Sequence, residues 1–190
     1  MGNMSQAKQQ AQAALALSTG RDVEAVSAIA LGLAGDTRRL AADLAKRFPE
    51  DTVVQFEYLP MINAVAALRN GSASKAIAAL ARAAPYERGS LAQSFSFAVY
   101  PVYLRGETYA AAHQGSAAVA EFQKILDHRS VVLNEPIGAL AYVGLARAYS
   151  LSGDTAKAKS AYQDFFSLWK NADPDIPILK EAKAEYAKLQ

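Results

Sequence analysis

Apolar residues recur every three or four positions through nearly the whole chain, and no long stretch alternates apolar with polar. That is the pattern of helices buried along one face. Near the C-terminus Ile176, Leu179, Ala182, Tyr186 and Leu189 share one stripe, while Lys180, Glu181, Lys183, Glu185 and Lys188 fall elsewhere. The short runs Val53-Val54 and Val131-Val132-Leu133 read as a helix start and a loop. Asn70-Gly71 sits between two helical patterns, so it predicts a helix end with glycine in the left-handed region rather than a hairpin turn.

Glycine, proline and capping residues cut this pattern into about ten helices. They cover about residues 4–18, 22–34, 37–47, 52–69, 72–83, 98–113, 116–128, 136–152, 155–170 and 173 to the end, with a long connection at 86–97. Asp51 is the expected N-cap of the fourth helix, and Asp173-Pro174 opens the last with a cap followed by proline. Pro60 lies inside the fourth pattern and predicts a kink or break that frees the Phe56 carbonyl, whereas Pro101 marks a helix start. The chain has 190 residues, of which 41 are alanine. Alanine favours helix and lets two helix axes approach to about 8–10 Å. The fold class is therefore all-α.

Successive helices pair into hairpins with recurring positions. The last pair carries Tyr142, Leu145, Ala146 and Tyr149, a turn glycine at Gly153, then Ala158, Tyr162 and Phe165. The pair before it offers Gly106, Tyr109, Ala118, Phe122 and Ile125, with His113 where a turn glycine is usual. Ala64, Ala67, Gly71, Ala76, Leu80 and Ala83 repeat the arrangement, as do Ala28, Leu31, Gly35, Leu40 and Leu44. Leu40, Ala76, Ala118 and Ala158 lie 36, 42 and 40 residues apart. This arrangement resembles the tetratricopeptide repeat. It predicts one α-α superhelix over 1–190, with an orphan second helix at 1–20, pairs at 21–48, 51–84, 98–129 and 136–170, and a capping helix at 173–190. The unpaired first helix is expected to continue a repeat that begins upstream.

The run Glu121 to Arg129 and the tail from Pro136, including Gly144 to Tyr149 and Asp173 to Lys180, carry a closer resemblance. They resemble the C-terminal repeat region of bacterial receptor-type serine/threonine protein kinases, which some winged-helix regulators share. The resemblance implies a non-catalytic interaction module at the regulatory or ligand-sensing end of a signalling protein. It implies a protein or peptide partner, the parent's own kinase domain among the candidates, or an alternative role as a scaffold that makes a homodimer of the parent. Bacterial cytoplasm and the periplasmic side of an anchored parent both fit. No Gly-rich loop, H-R-D or D-F-G sequence is present, so no kinase residue has a counterpart here.

Composition narrows the chemistry. Twenty basic against 18 acidic residues give a net charge of +2, without the footprint of a nucleic-acid binder. With no cysteine, thiolate chemistry and disulfides are excluded. No run approaches the ~18 apolar residues of a membrane span. His113 and His128 lie fifteen apart, at a turn and a helix end, and read as structural; Asp173 and Asp175 read as capping residues. No metal, cofactor or catalytic constellation is expected. The expected site is instead the inner strip that the repeat resemblance implies. Tyr58, Met61, Val65 and Arg69 come from one helix, Tyr100, Tyr103 and Glu107 from the next, and Leu140, Val143 and Arg147 from the last. Tyr103 is the expected anchor, Arg69 and Arg147 the expected carboxylate partners, and Glu107 the residue that orients or neutralises one of them. Met61, Ile62, Tyr103 and Leu104 stand where a carboxylate-clamp repeat would need lysine and asparagine.

Overall fold

A computed structural model describes residues 3–32, 37–87 and 99–190. All regular structure among them is helical. In chain order it comprises α1 Met4–Leu17, α2 Arg21–Gly32, α3 Arg38–Arg47, a π-helical turn Val54–Tyr58, α4 Leu59–Arg69, α5 Ala73–Ala81, α6 Tyr100–Ala111, α7 Gly115–Asp127, α8 Arg129–Val132, α9 Ile137–Leu151, α10 Thr155–Leu168 and α11 Pro177–Ala187. The turn expected at Gly35, most of the 86–97 connection and Phe97 lie outside the described residues. The chain divides into two compact units, Asn3–Leu104 and Arg105–Gln190.

Three hairpin turns are built alike. Gly71, His113 and Gly153 take left-handed backbone, with φ of 68°, 56° and 79°. In each, the N–H of that residue reaches back three positions and the next N–H reaches back five: Ser72 to the Ala67 carbonyl at 2.9 Å, Gln114 to Tyr109 at 2.9 Å and Asp154 to Tyr149 at 2.9 Å. This closes the last free carbonyls of the preceding helix. His113 adopts the glycine conformation at a cost of roughly 1–2 kcal/mol. Five residues after each turn stands Ala76, Ala118 or Ala158, all fully buried. Leu40, the oversized residue at the corresponding place in α3, is also buried.

In the unit Asn3–Leu104, α2 packs on α1, α3 and α4, and α4 on α5. Its core gathers Ala28, Leu44, Tyr58, Met61, Ile62 and Leu80, with Tyr100 and Leu104 packed against it. Pro60 does not break the helix, which continues from the π turn into α4. It lacks the N–H that would bond the Phe56 carbonyl, so the turn before it widens, and Leu59 N–H reaches the Val54 carbonyl five residues back. Pro101 does sit in the first turn of α6.

In the unit Arg105–Gln190, α9 packs against both α7 and α10. The Phe122 ring of α7 lies in a slot between Gly106 of α6 and Gly144 of α9. A buried ion pair joins Arg105 to Glu121 at 2.8 Å, and Lys124 adds a second cation to Glu121 at 2.7 Å. The run Val131–Leu133, expected as loop, is mostly the single helical turn α8, which closes on α9 so tightly that a Cβ on Gly138 would fall 2.8 Å from Val132. α11 lies on α10, where Tyr186 meets the rings of Tyr162 and Phe166 edge-on.

Candidate functional site

Five of the ten residues expected on the inner strip are interior. Tyr58, Met61, Val65, Leu140 and Val143 are all buried. Alanine-rich neighbours bring the helices close enough for these large side chains to interlock, so they serve packing. Tyr58 also spends its hydroxyl, which donates to Asp22 at 2.9 Å. Burial and that bond push the phenol well above its ordinary range. Asp22 is held down by the Arg21 guanidinium at 2.8 Å. Arg21 bridges onward to Asp51 at 2.7 Å, and Asp51 accepts the Val54 N–H at 3.0 Å, entering the π turn as a cap.

Arg147 is occupied as well. Its guanidinium grips Glu185 of α11 through Nε at 2.9 Å and Nη2 at 2.9 Å, and Glu181 lies 3.4 Å away. Tyr162 donates to the same Glu185 at 2.7 Å. Burial would lower the Arg147 pKa, but Glu185 outweighs it and raises the net value, with a further contribution from the field of Glu107. Glu107 therefore acts on Arg147 through charge, while α11 holds the fork. Arg69 is exposed, and Tyr100, Tyr103 and Glu107 are half-buried.

An accessible concavity lies elsewhere in the C-terminal unit, where α7, α8, α9 and α10 frame two adjoining cavities of about 330 and 370 Å³. Both are lined by Leu126, Arg129 and Tyr142. The first adds Ile125, Val132, Leu133, Leu168 and Trp169. The second adds Leu145, Tyr149, Lys157 and Asp164. Arg129 donates to the Tyr142 hydroxyl across the junction. Lys157 is paired with Asp154 at 2.9 Å and lies over the Tyr149 ring. Trp169 is steadied against the buried Phe165 ring, their centroids 4.9 Å apart.

Leu133 has an unusual place at this rim. Its backbone has φ 52° and ψ −125°, a combination left almost entirely to glycine. The cause is local: α8 ends there with Leu133 N–H on the Arg129 carbonyl, and the chain must reverse within three residues to start α9. The side chain is 77% exposed, and Leu168 across the first cavity is 57% exposed. None of Arg129, Leu133, Tyr142 or Trp169 belongs to the expected strip. The sequence carried two signals for them, a sole tryptophan and an Arg directly after a helix-ending His.

The N-terminal unit holds two buried polar side chains with an atom unpartnered among the described residues, Thr37 and Glu57. Glu57, in the π turn, is 4% exposed, and its Oε2 has no hydrogen-bond partner among the described residues. Burial pushes its carboxyl up to about 7. Among the described residues no group of three or more His, Asp or Glu stands together as a metal site, and no helix is long and apolar enough to cross a membrane.

Comparison with described protein families, curated proteins and solved structures found no match.

Proposed function

We propose that this chain is a non-catalytic protein-interaction module, the regulatory end of a larger bacterial signalling protein. The observation that carries the proposal is the two-part groove of the C-terminal unit. Aromatic and aliphatic walls, a central arginine and two large exposed leucines make a surface that gains by being covered. The resemblance of residues 121–129 and 136–190 to kinase-associated repeats supports the regulatory role. The partner is a peptide or a protein segment, because stacked helical hairpins offer long grooves to extended or helical ligands.

The test is selection of random peptides on the immobilised full chain. Enrichment of sequences that bind the free chain in solution is the expected result. Repeated selection with no enriched binder would count against the module reading.

A further inference from the structure

We propose that the groove framed by α7, α8, α9 and α10 receives an amphipathic segment of a protein partner that carries a central carboxylate. The carboxylate pairs with Arg129, and large aliphatic side chains seat against Leu133 and Trp169. This rests on the interaction-module reading and gives it a ligand chemistry.

Charge complementarity selects the carboxylate. A guanidinium offers five donors, and the partner that Arg129 has in the structure is the uncharged Tyr142 hydroxyl. The other cation of the groove, Lys157, is already neutralised by Asp154. Asp164 and Glu135 each line only one of the two cavities, whereas Arg129 lines both. An incoming acid is therefore favoured at the middle of the bound segment, where a planar fork can take it in two parallel bonds.

Exposed apolar surface selects the apolar flank. A leucine held in a glycine conformation with most of its side chain in water is costly on both counts. A partner that covers Leu133 together with Leu168 and Trp169 removes this apolar surface from water, while the backbone strain stays with the fold. The short α8 and its tight approach to Gly138 keep the rim fixed, so the surface is presented before the ligand arrives.

Trp169 is the only tryptophan and lines the first cavity, so its emission reads occupancy directly. Peptides enriched on the wild-type chain are expected to share an Asp or Glu between large aliphatic residues and to shift Trp169 emission saturably. Replacing that acid by its amide should weaken binding about tenfold, and Arg129→Gln should erase the difference between acid and amide. Selection on an Arg129→Glu chain should place Lys or Arg at the same position, a reversal that loss of folding does not produce. Helical circular dichroism controls for folding of both variants. Enriched peptides that bind without moving Trp169, or that show no acid preference, would overturn this inference and leave the module reading standing. Concentration-dependent dimerisation that shifts Trp169 emission without added peptide would also overturn it, because a second copy would then fill the groove.

Discussion

Phe122 and Gly144 meet face to face: a Cβ added to Gly144 would sit 2.5 Å from the Phe122 ring. A Cβ added to Gly106 would also come within 2.8 Å of the same ring, so both neighbouring helices need a glycine here. Gly144→Ala therefore gains roughly 1 kcal/mol of helix propensity and loses more to overpacking, about 1–3 kcal/mol or above. Urea melts should show a net destabilisation. Pairing it with Phe122→Leu should recover part of the loss, and an unchanged midpoint in the single variant would show that α7 and α9 are not in this contact.

Glu57 makes stability depend on pH in an unusual direction. Its carboxyl is raised from 4.5 to about 7 by burial, so the folded chain binds that proton more tightly than the unfolded chain. Its contribution is fully present below the unfolded value and is lost as pH rises to about 7, by on the order of 3 kcal/mol. The depressed carboxylates Asp22, Asp51 and Glu185 act oppositely, but below about pH 4. Urea midpoints should fall from about pH 5 to about pH 8, and Glu57→Gln should flatten the slope. A parallel slope in that variant would place the titration in another residue.

Glu185 ties α11 to Arg147 and Tyr162 at once. Glu185→Gln, Arg147→Met and their combination form a cycle whose coupling should lie near 0.5–3 kcal/mol. Amide exchange across α11, Pro177–Ala187, should quicken in both single variants. Protection unchanged in α11 would show that Tyr186 packing alone holds the helix.

Leu133 should show stability and binding pulling apart. Leu133→Gly removes the backbone penalty and is expected to stabilise the unit by about 1 kcal/mol or leave it neutral, while weakening every groove-binding peptide. Thermal melts and Trp169 titrations on one sample give both readings. A destabilised variant would mean that the exposed side chain contributes packing.

Local rules account for what was legible. The 3.6-residue spacing placed the helices, glycine and Asp51 marked their ends, and Ala76, Ala118 and Ala158 are buried. Pro60 announced an irregularity, although its form, a widened turn, depends on which N–H replaces the missing donor. The site was not legible, because its deciding contacts are distant in sequence. Tyr58 finds Asp22 36 residues away, and Arg147 finds Glu185 38 residues away. Both looked available for ligand only because nothing nearby in the chain engages them. Arg129 and Leu133 were hidden for the opposite reason: an Arg after a helix end and a Val-Val-Leu run are ordinary until the short α8 aims them.

The widened turn at Val54–Tyr58 acts as a phase shift. Each helical residue advances the side-chain direction by about 100°, and five residues per closed loop instead of four insert one such step. Residues before Val54 and after Tyr58 therefore keep different time along what looks like one helix from Asp51 to Arg69. A face counted forward from Asp51 arrives one step out of place at Met61 and Val65. Any alignment of this hairpin with the later two has to be made in halves, with a single-residue offset between them.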